Sequence, residues 1–274
     1  MMRDFRQVDV FTDTPYLGNP LAVVLGAEGL STEEMQRFAN WTNLSETTFV
    51  LPPTTPEADY RVRIFTTATE LPFAGHPTIG TCHAWLEAGG RPASDGVVVQ
   101  ECGIGLVKVK QDGASLAFAA PPLLRGGPVD EAELTRIAAA LGVERPAIVD
   151  AQWADNGPGW VAVLLGSAEE VLALRPAPSD YKIGVVGPHP DGSPNAFEVR
   201  AFFPPEGEDP VTGSLNASVA QWLLGSGRAS APYVAAQGTV LGRQGRVLIS
   251  RDDHDGTVWV GGSAVTCVNG TVAL

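Results

Sequence analysis

Two stretches of the sequence share one pattern: RIFTTATELPFAGHPTIGTCHAWLEAGG at residues 63–90 and RAFFPPEGEDPVTGSLNASVAQWLLGSGR at residues 200–228. Each predicts a β-strand, a loop with proline, a glycine, and then a helix with an apolar face. The pairs that align are Gly75 with Gly213, Pro72 with Pro210, His76 with Ser214, and Leu86 with Leu224. Because the two stretches lie about half the chain apart, the repeat predicts two similar halves that each combine strands and helices.

The segment FAAPPLLRGGP at residues 118–128 is rich in proline and glycine, which are typical of a connection between domains. We therefore predict an N-terminal half over residues 1–120 and a C-terminal half over residues 121–262. Residues 263–274 are expected to pack back onto the first half.

Capping residues predict further helices. Ser31 and Glu34 have the spacing of a capping box, and Asp130 precedes an apolar stripe that Gly142 would end. A third capping pattern opens a shorter helix after Ser167. Alternating and β-branched runs predict strands at Phe5–Thr12, Thr47–Leu51, Tyr60–Phe65, Gly105–Lys110, Trp160–Leu165, Phe197–Phe203, Arg246–Arg251 and Thr257–Val260.

Composition limits the classes of function. The chain has 274 residues, of which 44% are hydrophobic, so it can bury a full core. It carries 31 acidic and 18 basic side chains, a formal net charge of -13. Such a charge repels nucleic-acid phosphates and anionic lipids, so neither nucleic acid nor a membrane is an expected partner.

The cysteines and the N-terminus indicate the compartment. Cys82, Cys102 and Cys267 form no CxxC pair, so neither a zinc knuckle nor a redox motif is predicted. A sparse, odd set is typical of a reducing environment. The N-terminal segment MMRDFRQVDVF has no apolar region like that of a signal peptide, and no apolar run is long enough for a membrane span. We expect a soluble, cytoplasmic protein.

The repeated helix starts indicate an anion site. Glycines Gly75 and Gly213 open the two helices, and Pro77 suits a first helical turn. A helix N-terminus presents unpaired N–H groups and the positive end of a dipole. If the halves face each other across a cleft, the two starts would hold a small carboxylate or an enolate.

A proton-transfer group would complete such a site. Glu46, Glu70, His76, Glu208 and Asp209 are the candidates in the loops. Glu46 lies in WTNLSETTFVLP among uncharged residues, and a carboxyl group in poorly solvated surroundings can serve as both acid and base. Spacing alone leaves open that Glu46 is a surface residue at a strand end.

These segments resemble the PhzF-like family, which is named for an isomerase of phenazine biosynthesis, and the resemblance covers essentially the whole chain. NLSET, ELPFAGHPTIG and EDPVTGS are its specific motifs. The matching segments are VDVFTDTPYLGNPLAVV at 8–24, NLSETTFVLPP at 43–53, RIFTTATELPFAGHPTIG at 63–80, QECGIGLVKV at 100–109 and GEDPVTGSLNASVAQWLL at 207–224.

The resemblance implies the α+β fold of diaminopimelate epimerase: two pseudo-symmetric halves, each a curved, mainly antiparallel sheet around a central helix, with the active site in the cleft between them. It implies proton transfer on a small carboxylic acid without a cofactor or a metal, in a homodimer. The catalytic positions of the family fall on Glu46, His76 and Asp209. Its substrate-binding positions fall on Asn19, Gly75, Gly213 and Ser214.

One departure from the wider superfamily is informative. Diaminopimelate epimerase and proline racemase place a cysteine at each helix start, whereas this chain has Ala74 and Thr212 there. Racemisation by two thiols is therefore not expected. Two alternatives remain open: a binding protein of this fold that has lost catalysis, and a hydrolase built from Ser214, His76 and Asp209, although the G-x-S-x-G pattern is missing. Trp41, Trp85 and Trp222 are predicted in the core.

Overall fold

The computed structural model describes residues 1–204 and 207–274, and the chain divides into two units. Unit 1 comprises Met1–Ala119 and Gly261–Leu274, and unit 2 comprises Ala120–Val260. Among the described residues, no helix has both the length and the apolar character that a membrane span requires.

Unit 1 is a mainly antiparallel sheet around one helix. Its strands are β1 (Met2–Val10), β2 (Asn19–Val24), β3 (Thr47–Leu51), β4 (Tyr60–Phe65), β5 (Glu70–Leu71), β6 (Val97–Cys102), β7 (Gly105–Asp112) and β8 (Ser115–Ala119). Its helices are α1 (Thr32–Thr42) and α2 (Gly75–Glu87). The order is β1-β2-β3-β4-β6-β7-β8, in which β2–β3 and β4–β6 are the parallel pairs and β5 pairs with β4. Because α2 contacts β1, β2, β3, β6, β7 and β8, the sheet wraps around it.

Small residues allow the sheet to approach α2 closely. A side chain at Gly80 would collide with Leu21 and Val10. Ile79 and Cys82 are fully buried, as are the polar residues Thr78 and Thr81. The sequence predicted one apolar face, whereas most of the helix is buried because strands surround it.

Unit 2 repeats this plan. Its strands are β9 (Asp150–Trp153), β10 (Trp160–Leu164), β11 (Lys182–Pro188), β12 (Phe197–Phe203), β13 (Gly207–Asp209), β14 (Tyr233–Gln237) and β15 (Gly245–Arg251). Its helices are α3 (Glu131–Leu141), α4 (Ala168–Ala173) and α5 (Gly213–Gly225), with short 3-10 turns at Arg145–Ala147 and Thr239–Leu241. The order is β15-β14-β12-β11-β10-β9, and β13 pairs with β12. The helices α2 and α5 each have 13 residues and begin at the glycines that the repeat aligned.

The caps form as predicted. Ser31 and Glu34 make a reciprocal capping box, and Asp130 caps α3, which ends at Gly142 in the left-handed region. The predicted inward face of α3, Leu134, Ile137 and Leu141, lies in the core of unit 2.

One prediction was incomplete and one was wrong. The strand predicted at Thr257–Val260 forms, but it is only the beginning of β16 (Val258–Ala273), which pairs with β1 in unit 1. The remainder of β16 is interrupted by glycines and was not predicted as a strand. Its pairing with β1 stabilises it. Trp41 is 77% exposed and stacks on Phe38, whereas Trp222 is buried as predicted.

Candidate functional site

Glu46 and His76 form a pair at the start of α2. Glu46 lies in the turn between α1 and β3, and His76 is the second residue of α2. The Nδ1 atom of His76 is 3.2 Å from the Oε2 atom of Glu46. The His76 side chain is 5% exposed and the Glu46 side chain 18%, so the carboxyl group is near solvent but largely enclosed.

Buried hydrogen bonds hold the start of α2. The N-cap residue Ala74 has no capping side chain, but its carbonyl oxygen accepts hydrogen bonds from the Thr78 backbone N–H and hydroxyl group. Gln100 donates to Thr78 Oγ1 over 3.1 Å, and Tyr60 donates to Gln100 Oε1 over 3.0 Å. Burial raises the pKa of Tyr60 well above its usual value, so its hydroxyl group stays a donor.

The start of α5 in unit 2 carries the other predicted pair, Asp209 and Ser214. The N-cap residue Thr212 donates from Oγ1 to Asp209 Oδ2 over 2.5 Å. Ser214 Oγ accepts from the indole N–H of Trp160 over 3.0 Å, and the Ser214 carbonyl oxygen accepts from Asn156.

The indole fixes the direction of one bond. Because the Trp160 N–H can only donate, Ser214 Oγ is the acceptor, and the Ser214 hydroxyl hydrogen is left to donate to another group. A serine oriented in this way suits an acceptor such as a carboxylate oxygen.

A family model described as "Phenazine biosynthesis-like protein" matches residues 8–270. The chain belongs to the phenazine biosynthesis-like family. The family membership predicted from the sequence is thereby confirmed.

Relatives extend over the whole chain. It is 38% identical to "Antisense-enhancing sequence 1" of Schizosaccharomyces pombe, over 97% of both chains. It is 32% identical to "Trans-2,3-dihydro-3-hydroxyanthranilate isomerase" of Pseudomonas fluorescens, over 100% of both, which agrees with the isomerase class predicted from the sequence.

Solved structures agree with the fold. A phenazine biosynthesis protein of the PhzF family from Enterococcus faecalis superposes with a TM-score of 0.82 at 25% identity, covering 100% of both chains. A hydroxyproline epimerase from Agrobacterium vitis has a TM-score of 0.60 at 15% identity, covering 100% of this chain and 93% of that one, which shows similarity of fold alone. The predicted fold class, α+β and similar to the epimerases, is confirmed.

Other site residues predicted from the family motifs lie near the helix starts or in the sheet. Gly75 and Gly213 open α2 and α5. Asn19 is fully buried as the first residue of β2, beside Gly18, whose backbone N–H donates to Asp9 Oδ2. The role of Asn19 in substrate contact stays a prediction.

Two other acidic candidates belong to ion pairs. Glu70 pairs with Arg63, and Glu208 accepts two hydrogen bonds from the buried Arg200 at 2.9 and 2.7 Å. A carboxylate held by a guanidinium group is a poor proton donor or acceptor, so these two residues support structure.

The cysteines of this family member lie away from the helix-start positions Ala74 and Thr212. Burial raises the pKa of Cys82 to about 12 and also raises that of Cys102 and Cys267. Thiolates are therefore disfavoured at all three positions.

The sequence analysis missed Gln100 and Gln237. Both side chains are fully buried, and each bonds to a residue in the first turn of a central helix. They lie 22 residues after Thr78 and 21 residues after Asn216, respectively. The alignment of the repeat stopped at residues 90 and 228, and extending it with a one-residue gap would have found them.

Proposed function

We propose that this phenazine biosynthesis-like protein is a cofactor-independent isomerase or epimerase that moves a proton on a small carboxylic acid, with Glu46 as its general acid and base. The observation that carries the proposal is the 3.2 Å contact between Glu46 Oε2 and His76 Nδ1 at the start of α2. It joins a partly enclosed carboxylate to an imidazole beside a helix N-terminus.

Proton abstraction next to a carboxylate places extra negative charge on the substrate. Backbone N–H groups at the start of α2 and the positive end of the helix dipole favour such charge. A hydrogen bond from His76 would orient the Glu46 carboxylate, leaving one oxygen for the substrate C–H. Glu46 would then return the proton to the same carbon or another one, which gives an epimerisation or a double-bond shift.

Asp209, Gly213 and Ser214 are proposed to take part in the same reaction. The Ser214 hydroxyl group, with its oxygen occupied by Trp160, would donate to a carboxylate of the substrate. Asp209 accepts a hydrogen bond from Thr212, and a negative charge is favoured near the start of α5. Its role would be to bind a hydroxyl or amino group of the substrate or to relay a proton.

The names of the relatives suggest the first substrate to test, trans-2,3-dihydro-3-hydroxyanthranilate. A homodimer in the cytoplasm is also proposed, from the family resemblance and the sequence. Sedimentation equilibrium at micromolar concentration should give twice the mass of 28.7 kDa.

The test is a reaction in D₂O with the chelator EDTA present, followed by proton NMR. The proposal expects conversion of this substrate with deuterium on the product carbon. Omitting the enzyme gives the background rate. Activity that requires an added divalent ion would contradict the cofactor-independent mechanism, and an unconverted substrate that also fails to exchange would exclude this reaction.

A further inference from the structure

The fully buried Gln237 side chain, at the end of β14, uses all of its hydrogen-bonding capacity at the start of α5. Its Oε1 atom accepts from the Thr212 backbone N–H over 3.0 Å and from Asn216 Nδ2 over 2.8 Å. Its Nε2 atom donates to the Asp209 carbonyl oxygen over 3.1 Å and to Thr212 Oγ1 over 2.9 Å. Two donors and two acceptors are what one amide side chain offers.

The backbone fixes the direction of every bond in this group. The Thr212 N–H can only donate and the Asp209 carbonyl can only accept, so the amide of Gln237 has one allowed orientation. Its NH₂ group must then donate to Thr212 Oγ1. The Thr212 hydroxyl hydrogen is consequently directed at Asp209 Oδ2, 2.5 Å away.

The chain of bonds therefore ends on the Asp209 carboxylate and makes Oδ2 an acceptor. Such a bond fixes the rotation of the carboxylate plane. Asp209 lies at the end of β13, which has only three residues. The bonds through Thr212 thus supply orientation that a short strand alone would not.

We propose that Gln237 is a positioning residue for Asp209, acting through the Thr212 hydroxyl group. The inference rests on the proposed function, in which Asp209 takes part in the reaction. Thr212 stands where related racemases have a reactive cysteine, and here it transmits orientation to a carboxylate.

Unit 1 contains a natural comparison. Gln100 is equally buried and also bonds to the first turn of a central helix, through Thr78. Gln100 also accepts a hydrogen bond from the hydroxyl group of Tyr60, so among the described residues these two bonds lead to hydroxyl groups and not to a carboxylate. Loss of Gln100 should therefore cost stability without changing the surroundings of the Asp209 carboxyl group.

The experiment measures kcat and KM for Gln237→Leu, Thr212→Val and Thr212→Ser, and for Asp209→Asn with and without Gln237→Leu, and Gln100→Leu is the control for stability. Gln237→Leu and Thr212→Val should lower kcat by about tenfold or more while changing KM by less than about threefold. Thr212→Ser, which keeps the hydroxyl group, should restore kcat to within about threefold of the wild type. In the Asp209→Asn background, Gln237→Leu should lower kcat by less than about threefold further, because its effect passes through Asp209.

Gln100→Leu should lower the melting temperature about as much as Gln237→Leu and leave the ¹³C resonance of the Asp209 carboxyl group in place. Independent losses of kcat in the double variant, or a shift of that resonance in Gln100→Leu, would overturn the inference. If Gln237→Leu does not fold, Thr212→Val and Thr212→Ser decide the same question.

A measurement without turnover separates this inference from the proposed function. The ¹³C resonance of the Asp209 carboxyl group should shift in Gln237→Leu and Thr212→Val and stay in place in Thr212→Ser. An unshifted resonance in the first two variants would disprove the positioning role. If the variants show these shifts but the wild type leaves the substrate unconverted, the positioning role stands and the result counts against the proposed function instead.

Discussion

The Nδ1 atom of His76 lies 3.2 Å from the Oε2 atom of Glu46, although the two residues come from different segments of unit 1. The turn after α1 supplies the carboxylate, and the first turn of α2 supplies the imidazole. The N-cap residue of that helix is Ala74, which offers no functional group of its own. The proposed proton transfer at this helix start therefore relies on the neighbouring pair.

The first prediction is that the cysteines are dispensable for the reaction. Their pKa values are raised by burial, to about 12 for Cys82, so none is a ready thiolate near neutral pH. A Cys82→Ala, Cys102→Ser, Cys267→Ser variant should keep kcat within about threefold of the wild type. Loss of activity in a variant with a normal circular dichroism spectrum would favour a thiol mechanism.

Local signals were the part of the fold that the sequence predicted well. The capping box at Ser31 and the strand Thr47–Leu51 depend on neighbouring residues, and both were found at their observed positions. The part of β16 after Val260 was missed because its pairing with β1, far away in sequence, stabilises it.

In the candidate site, too, the residues within recognisable motifs were predicted, and those that reach the site from distant strands were not. Glu46 and His76 were recognised from family motifs, whereas spacing alone left Glu46 undecided. Trp160 and Gln237 contact the start of α5 from distant strands, so no local pattern marked them. Extending the internal repeat was the one signal that would have found Gln237.

The second prediction concerns Trp160, which donates to Ser214 Oγ over 3.0 Å. Trp160→Phe keeps an aromatic ring beside Phe203 but removes the N–H donor. Ser214 is then free to turn its hydroxyl group, so substrate carboxylate should bind less tightly. We expect KM to rise about three- to tenfold, consistent with about 1 kcal/mol for one hydrogen bond, while kcat changes less. A variant that lowers kcat at constant KM would contradict the assigned role of Ser214.

The third prediction is a pH dependence of stability. Burial lowers the pKa of His83, against a smaller opposite effect of Glu87, and its Nε2 atom contacts Thr266 Oγ1. Below about pH 6.5, the ordinary pKa of histidine, the unfolded chain binds the proton more readily than the folded chain does. The stability that neutral His83 contributes is therefore lost as the pH falls through its lowered pKa in the folded state.

Thermal unfolding of the wild type and His83→Gln checks this sign. The melting temperature of the wild type, relative to the variant, should fall between about pH 7.5 and about pH 5.5. Glutamine can still hydrogen-bond to Thr266 but does not titrate. If the melting temperature of the wild type relative to the variant stays constant or rises as the pH falls over this range, protonation of His83 does not destabilise the folded chain and the prediction is wrong.

The fourth prediction concerns Glu46, on which the mechanism rests. Glu46→Gln keeps the size of the side chain and a hydrogen bond to His76, but an amide cannot accept and return a substrate proton. We expect kcat to fall by at least about a hundredfold, the usual scale for losing acid–base help, with substrate binding retained. Glu33→Gln, an exposed position on α1, is the matched control and should leave kcat within about twofold of the wild type.

In D₂O the wild type should place deuterium on the product carbon and Glu46→Gln should place none above background. His76→Asn should give a smaller loss, because the carboxylate remains but is less well oriented. Near wild-type turnover by Glu46→Gln would show that another group moves the proton and would disprove the assignment.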